Sequence, residues 1–484
     1  MRNSDKVNSL NDTITICNLI KRKLTPSAKR RQEIENAAEQ IRKAVERECV
    51  KARLEAEVRL DGSLAKNTWI QDNVDVDIFV RVSPELTKLQ LEKICLPIAK
   101  KALAPNDIIE RYADHPYVES YVPTASGTVR VNVVPCYNVE FGKWQSATDR
   151  TPYHTQYVRE HLTNEMTDEV RLLKAFLRGI GSYGADIRTG GFSGMLTETL
   201  ILAYGGFLHV ITDFTTWREN KFIDIENYYA KRPDEIHQIF REPLIVIDPI
   251  DKGRNLAAAV RQEQLWNFVA ASRRFLQNPT RKFFYEPKIK PLTPHEYRAL
   301  IKDRNSSLIC LQIGKIDAVP DVLWSQLYKT ERALTNLLKT NDFQVIRTGS
   351  WTDEKSMNLI LFELETERLP RTRRHSGPPV SKMNESANFI KKHRREKSTI
   401  SGPWIEGQKW MVHNQRPKTS AIQLLASNLR SGGRQVGVAS LLAKSLKKQS
   451  RLCEGNQIAT LISRNTQFAK YIRIYLSGRP IWYA

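Results

Sequence analysis

The sequence predicts an α+β protein of several domains. Its 484 residues exceed one ordinary core, since a domain takes about 100 to 200 residues, and three or four modules are expected. Strand-like alternation in VDVDIFV is followed by helical periodicity in VRLLKAFLRGI. With 41% hydrophobic and 26% charged residues, the composition is that of a soluble globular protein. Because no run of about 18 uncharged apolar residues occurs, we expect no membrane span.

Residues 1–150 have the pattern of a mixed α/β segment. Thr25 and Pro26 are suitable residues to open a charged amphipathic helix. The elements expected in order are a helix at 25–55, a strand at 56–60, a turn at Asp61-Gly62, a strand at 74–80, a helix at 84–104 and a strand pair at 117–139.

Helical periodicity dominates residues 151–262. Val170, Leu173 and Phe176 recur at helical spacing, with Thr167 as a possible cap and Gly179 near the end. Residues 263–366 alternate helix and strand patterns, which predicts a small α+β module.

Residues 367–484 include, from Arg368 onward, RLPRTRRHSGPPVSKMNESANFIKKHRREKSTISGP, a stretch rich in cations, proline and serine. This composition predicts an extended or loosely ordered connector over about 368–397. Such a segment either lies along a phosphate backbone or is a solvated linker without contacts.

The charge balance indicates a polyanionic partner. Lysine and arginine number 75 against 53 aspartates and glutamates, a net charge of +22. Nucleic acid is favoured over an anionic membrane surface, and a basic but inert surface is the alternative. The six cysteines form no short-spaced pair that could begin a zinc site. Since the N-terminus also lacks the apolar segment of a secretory signal, we expect free thiols and a cytoplasmic protein.

The segment GSLAKNTWIQDNVDVDIFV carries the candidate chemistry. In its strand the valines and Ile78 share one face, so Asp75 and Asp77 share the other. Their side chains, about 7 Å apart along the strand, can reach a shared pair of Mg²⁺ ions. Gly62 and Ser63 precede them in a turn where backbone amides can approach a phosphate. A solvent-facing sheet surface is the ordinary explanation of Asp-x-Asp alone.

A glycine-serine turn followed by Asp-x-Asp is the pattern of the nucleotidyltransferases related to DNA polymerase beta. A narrower resemblance runs from about residue 25 into the C-terminal region. Seven segments resemble, in the same order, the class I, archaeal-type CCA-adding enzymes: GSLAKNTWIQDNVDVDIFV, HPYVESYV, VNVVPCYNV, ATDRTPYHTQYV, VRLLKAFLRGIGSYGADIRTGGFSGMLTETLI, IVIDPIDKGRNLAAAV and RRHSGPPV.

The resemblance implies a polymerase-beta-like head (1–150), a helical neck (151–262), a small α+β body (263–366) and a basic tail (367–484) that binds tRNA. It implies a Mg²⁺-dependent enzyme, usually a homodimer, that adds C, C and A to tRNA from CTP and ATP without a template. The implied metal ligands are Asp75, Asp77 and the residue at position 132. The implied nucleotide contacts are Ser63, Lys66, His154, Lys174, Tyr183 and Arg254. Without the resemblance, each of the last four has an ordinary structural explanation.

Two positions depart from the family pattern. Lys66 stands where arginine is common, which keeps the charge but loses the bidentate fork. Asn132 stands where the third carboxylate is expected. An amide oxygen can ligate a hard cation but cannot accept a proton near neutral pH, and losing a general base typically lowers a rate by about 10² to 10⁴.

Three explanations of Asn132 are open. Asp75 and Asp77 suffice with Asn132 or water in the site; an acid such as Glu119 or Glu140 substitutes; or the protein binds tRNA without efficient catalysis. The leading hypothesis is a CCA-adding enzyme, with a catalytically impaired tRNA-binding paralogue as the alternative. A template-independent polymerase of other specificity, such as a poly(A) polymerase, is a third.

Overall fold

The computed structural model describes residues 3–72, 74–112, 115–125, 127–218 and 221–483. The chain groups into two units. One runs to Lys288 and includes the C-terminal residues from Arg479, and the other runs from Ile289 to Gly478. The division into four segments that the sequence suggests stays a prediction.

The first unit contains a mixed sheet and a helical half. Its helices are α1 Asn3–Leu24, α2 Ala28–Lys51, α3 Gly62–Ala65, α4 Lys88–Leu103, α5 Thr151–His161, α6 Asn164–Gly179, α7 Gly194–Tyr204, α8 Phe207–Phe214, α9 Pro233–Ile239 and α10 Gln262–Gln277. Its strands are β1 Ala56–Asp61, β2 Asp75–Val82, β3 Ile108–Tyr112, β4 Pro116–Thr124, β5 Gly127–Tyr137, β6 Phe222–Ile223, β7 Ile245–Asp248 and β8 Asp251–Asn255.

The main sheet of this unit has the strand order β1-β2-β5-β4-β3. β2 and β5 are parallel, and the other neighbours are antiparallel. On one face Val76, Ile78, Val131 and Val133 are almost fully buried and pack with helices α2 and α4. The alternation predicted for the strand at 74–80 is confirmed, because only one face of β2 joins this core.

A row of polar residues crosses the opposite face of the sheet. Asp61 pairs in register with Asp77, Asp77 with Asn132, and Asn132 with Glu119. Residues directly opposite one another in a sheet project to the same side. The register therefore brings side chains from four strands into one line.

Helix α6 is the centre of the helical half. The Phe176 ring lies among five other phenylalanine rings, with centroid distances from 5.4 to 6.0 Å. The predicted periodicity is confirmed. The cap is different, because Thr163 and not Thr167 accepts the N-terminal hydrogen bond, from the Met166 amide.

The opening of the second helix also differs from the prediction. Ser27, not Thr25 or Pro26, caps α2 by accepting a hydrogen bond from the Arg30 amide. The Thr25 hydroxyl instead lies within hydrogen-bond distance of two acceptors, the Lys21 carbonyl and Asp168 Oδ1. The helix expected at 25–55 is shorter in the structure, where α2 covers Ala28–Lys51. A separate helix, α1, precedes it and ends at Leu24.

The second unit contains two further sheets. Its helices are α11 Pro294–Arg304, α12 Pro320–Thr340, α13 Met383–Arg395, α14 Ala421–Leu429, α15 Ser440–Lys448, α16 Asn456–Arg464 and α17 Thr466–Ser477. Its strands are β9 Ser307–Ile313, β10 Val345–Thr352, β11 Asn358–Leu364, β12 Thr372–Pro379, β13 Thr399–Glu406, β14 Lys409–Gln415 and β15 Ser450–Glu454. The strand orders are β10-β11-β9-β15 and β12-β14-β13.

The prediction of an extended or loosely ordered connector over about 368–397 is wrong. Residues 372–379 form β12, and residues 383–395 form α13, which packs on that sheet. Phe389 of α13 lies over Gly377, where a Cβ would be 2.6 Å from its ring, and beside His393 at 4.4 Å between ring centroids. The cations of α13 face solvent. Their number makes it hard to recognise, in the sequence, the short amphipathic pattern through which the helix packs on its sheet.

No single helix in the described part of the chain has the length and apolarity to cross a membrane. Helices α7 and α8 pass that test only as a pair, and they bend by 92° where they meet.

Candidate active site

The turn at Gly62-Ser63 closes directly against Asp77. Gly62 has a φ of +71°, a left-handed conformation that favours glycine. A Cβ at this position would lie 2.1 Å from Asp77 Oδ2, so a larger residue would displace the turn or the carboxylate. Glycine therefore permits the backbone of α3 and Ser63 to approach the predicted carboxylate pair.

Asp75 is paired with an arginine. Arg130, its register partner on β5, donates from Nε to Oδ1 at 2.8 Å and from Nη2 to Oδ2 at 2.5 Å. The side chains of Arg130 and Asp75 are 40% and 24% exposed. One guanidinium thus engages both carboxylate oxygens.

Asp77 is buried beside Asn132. The Asn132 side-chain amide donates to Asp77 Oδ1 at 2.9 Å. Burial raises the pKa of Asp77 to about 6, and the hydrogen bond from Asn132 opposes this rise. Asn132 Oδ1 is itself buried and has no hydrogen-bond partner among the residues that the structure describes, so within that part of the chain the site contains an oxygen acceptor that no donor satisfies.

The oxygens of Asp75, Asp77 and Asn132 fit a hard divalent cation in kind. The unpartnered Oδ1 of Asn132 supports this fit, because a buried carbonyl oxygen without a donor is unfavourable and is a normal ligand for such a cation. Among the residues that the structure describes, no three acidic, histidine or cysteine side chains gather as a possible metal group. Any ion held here would therefore have two carboxylates and one neutral amide.

The two acids considered as substitutes for a third carboxylate are both engaged elsewhere. Glu119 is buried and accepts a hydrogen bond from Arg111 Nη2 at 2.9 Å. Glu140 has a side chain that is 79% exposed and is paired with Lys143. Glu119 shares the face of Asn132, whereas Glu140 lies on the surface after β5.

Glu198 joins two of the predicted nucleotide contacts. Its side chain is 1% exposed; Oε2 accepts from Lys66 Nζ at 2.5 Å, and Oε1 accepts from Lys174 Nζ at 3.1 Å and from Thr68 Oγ1 at 2.5 Å. The two lysines lower the pKa of Glu198 to about 2 against the effect of burial. Two ammonium groups are thus held by one buried carboxylate.

The three N–H groups of Lys174 have three protein acceptors. Besides Glu198, Nζ donates to the Thr68 carbonyl at 3.1 Å and to Thr68 Oγ1 at 3.0 Å. Arg171, one turn earlier on α6, donates from Nε to the Trp69 carbonyl at 2.9 Å. Helix α6 therefore fixes the loop that follows α3, and with it the position of the glycine-serine turn.

His154 and Arg254 meet at a shared carboxylate. His154 Nε2 lies 2.9 Å from Asp248 Oδ2, and Arg254 Nη1 donates to the same oxygen at 3.0 Å. Burial lowers the pKa of His154, although Asp248 acts in the opposite direction. Strands β7 and β8 supply Asp248 and Arg254, and α5 supplies His154.

A cavity of about 630 Å³ opens beside the carboxylates. Four of the predicted site residues line it, namely Ser63, Asp75, Lys174 and Tyr183. Arg130 and Arg178 also line it, and the Arg178 guanidinium lies 5.0 Å from the Tyr183 ring centroid. The other predicted residues, Lys66, Asp77, Asn132, His154 and Arg254, are not among its lining residues.

Sequence reasoning missed Glu198, Asp248 and the pairing of Arg130. The signal for Glu198 was present, because it is the one acidic residue within the apolar run MLTETLILAY. A lone acid on the buried face of a helix usually has a charged partner. Asp248 ends the apolar strand IVID, and the same reasoning applies to it.

Three family models match the chain. A nucleotidyltransferase domain matches residues 39–154, a tRNA nucleotidyltransferase second domain matches 168–285, and a CCA-adding enzyme C-terminal domain matches 304–455. The chain is 32% identical over 477 residues to the CCA-adding enzyme of Methanopyrus kandleri, with 96% of each chain covered. It is 34% identical over 468 residues to that of Methanoregula boonei, with 94% of this chain and 96% of the relative covered.

Among solved structures, Cid1 poly(U) polymerase is similar over 56% of this chain and 98% of its own. The TM-score is 0.45 at 14% identity, which is too low for any inference about chemistry.

Proposed function

The chain belongs to the family of archaeal CCA-adding enzymes, and on this premise we propose that it adds C, C and A to the 3′ end of tRNA. CTP and ATP are the proposed nucleotide donors, and pyrophosphate is the second product. One observation at the site carries the proposal: the Gly62-Ser63 turn closes against Asp77, beside Asp75. The backbone that can approach a phosphate and the oxygens that can bind a cation are therefore next to each other.

The nucleotide triphosphate is proposed to bind between this turn and the two lysines held by Glu198, Lys66 and Lys174. Lys66 uses one of its three N–H groups on Glu198, which leaves donors for phosphate oxygens. Lys174 has protein acceptors for all three, so its proposed contribution is positive charge and the fixed position of Thr68. Tyr183 and Arg178 form the wall on which the sugar and base are proposed to lie.

The proposed reaction is an in-line attack of the tRNA 3′-hydroxyl on the α-phosphorus. A divalent ion such as Mg²⁺, held by Asp75, Asp77 and Asn132 Oδ1, would stabilise charge on the attacking and leaving oxygens. The protein's own groups orient the triphosphate through the α3 backbone and Lys66. His154 and Arg254, fixed by Asp248, are proposed to orient the sugar and the base edge.

Asn132 cannot accept the proton of the attacking hydroxyl. Glu119 is occupied by Arg111 and Glu140 is on the surface, so neither is proposed as a replacement. We favour catalysis through the Asp75 and Asp77 pair. The alternative of a catalytically impaired paralogue has no support among the relatives, which are named CCA-adding enzymes.

tRNA is proposed to contact the exposed cations of α13 in the second unit. Four of them face solvent, Lys391, Lys392, Arg394 and Arg395, and phosphate contacts by such residues supply sequence-independent affinity. A homodimer and a cytoplasmic location are further proposals that rest on the family resemblance.

The test is an addition assay on tRNA lacking its terminal CCA, with α-labelled CTP and ATP. Ordered addition of C, C and A by the unaltered chain is expected, and D75N should abolish it. Absence of incorporation with Mg²⁺ or Mn²⁺ would refute the proposal, and a long homopolymer tail would indicate a polymerase of other specificity. N132D separates the alternatives: a rate within about tenfold of the unaltered chain fits catalysis without the third carboxylate, whereas a gain from no activity fits the impaired paralogue.

A further inference from the structure

Arg130 lies between two carboxylates on the polar face of the main sheet. Both of its hydrogen bonds to Asp75 are short and parallel, at 2.8 and 2.5 Å. On its other side, Nη1 is 3.9 Å from Glu119 Oε2. Arg130 is therefore paired with Asp75, and a small movement of its side chain would bring it to Glu119.

The charges around this arginine differ from those of an all-carboxylate metal site. Asp75 and Asp77 contribute two acidic groups, Asn132 is neutral, and the guanidinium of Arg130 offsets one of the acids. A cation that binds Asp75 must displace a bidentate hydrogen-bonded ion pair, which is among the stronger side-chain interactions. Asn132 is neutral, so it adds no negative charge that would attract the cation.

The position of Arg130 permits such a displacement. Its side chain is 40% exposed and lines the cavity, so it is not enclosed by the core. Glu119 is buried and is bound to Arg111 through Oε1. Its Oε2 is the atom that Arg130 approaches.

We propose that Arg130 is the resident counter-ion of Asp75, and that divalent cations bind this site only when Arg130 turns from Asp75 to Glu119. The inference rests on the proposed function in one respect, that Asp75 is a metal ligand. It predicts that the free protein binds divalent cations weakly and that Arg130, not Asn132 alone, sets this affinity.

The experiment is a titration of the full chain with Mn²⁺, without nucleotide or tRNA, in which free Mn²⁺ is measured by its EPR signal. R130M should bind Mn²⁺ about tenfold more tightly, the effect expected when a competing charge-assisted pair is removed. R42M is the matched control, because Arg42 of helix α2 forms the same kind of two-point pair with Glu39, at 2.8 Å from both Nε and Nη2, on the other side of the sheet. It should change the affinity by less than about twofold, since charges without direct contact are screened.

A second variant tests the alternative partner. E119Q removes the carboxylate that receives Arg130, so Mn²⁺ affinity should fall below that of the unaltered chain. Affinity in R130M that is equal to or weaker than in the unaltered chain would overturn the proposal, as would an equal gain in R42M. Mn²⁺ binding by D75N as strong as in the unaltered chain would also overturn it.

Folding is checked by the thermal midpoint of each variant in EDTA. If R130M does not fold, R130K keeps the charge with a single point donor and should give a smaller gain in affinity. The titration does not depend on nucleotide addition. A failed CCA assay with the expected Mn²⁺ result would remove the proposed function and leave the counter-ion, and the opposite pair of results would remove only the counter-ion.

Discussion

Lys66 Nζ lies 2.5 Å from Glu198 Oε2, and the Glu198 side chain is only 1% exposed. The same carboxylate holds Lys174, so a single buried anion fixes two cations at the proposed triphosphate site. Removing one partner of a buried ion pair is strongly destabilising, because it leaves an uncompensated charge. Glu198 therefore has a positioning role that can be separated from direct contact with the nucleotide.

E198Q keeps the size of the side chain and removes its charge. We expect the free energy of unfolding to fall by about 3 kcal/mol and KM for CTP to rise by about tenfold, since the lysines repel each other and leave their positions. Urea unfolding and steady-state kinetics measure the two effects. E160Q is the control, because Glu160 is exposed and accepts a hydrogen bond from the neighbouring Gln156 side chain. Equal effects in both variants would contradict the role of Glu198.

G62A tests the contact between the turn and Asp77. The added Cβ meets Asp77 Oδ2 at 2.1 Å, and the φ of +71° is unfavourable for alanine. We expect a loss of at least about 1 to 3 kcal/mol in the free energy of unfolding and a loss of nucleotide addition. G253A is the matched control, since a Cβ there lies 3.5 Å from Asp251 in ordinary contact. Activity of G62A close to that of the unaltered chain would show that the turn is not part of the site.

The sequence predicted the features of this site that depend on local chemistry. The alternation along β2 placed Asp75 and Asp77 on one face, and Gly62 marked the turn, because both signals lie within a few residues. Glu198 was not predicted as a partner of Lys66, since 132 residues separate them and only packing of α7 brings them together. Helix α13 was missed for a different reason: its exposed cations outnumber the few residues, such as Phe389, that bind it to its sheet.

The pH dependence of stability reports the burial of His154. Its pKa is lowered in the folded protein, chiefly by burial, whereas the unfolded chain binds a proton near pH 6.5. As the pH falls below 6.5, the unfolded state takes up that proton first, so the folded state loses relative stability.

The unaltered chain should therefore lose about 1 kcal/mol relative to H154Q between pH 7.5 and 5.5. Urea unfolding of both proteins at several pH values measures this difference. H161Q serves as the control, because it removes an exposed histidine and so separates the loss of the buried His154 from the loss of a histidine in general. A loss in the unaltered chain no greater than in H154Q would contradict a buried, neutral His154.

The basic face of α13 should set the salt dependence of tRNA binding. Each lysine or arginine that neutralises a phosphate releases a counter-ion, so log K falls with log salt by about 0.7 to 0.9 per contact.

The double variant K391Q/R394Q removes two exposed cations. It should weaken binding at low salt and reduce the salt slope by roughly 1.5, as measured by filter binding between 50 and 200 mM KCl. K382Q is the control, because Lys382 stands at the opposite end of α13 from Lys391 and Arg394 and its charge is partly offset by Glu385 at 3.0 Å. An unchanged slope in K391Q/R394Q would place the tRNA contact on another surface, and an equal reduction in K382Q would show that net charge, not the face of α13, determines binding.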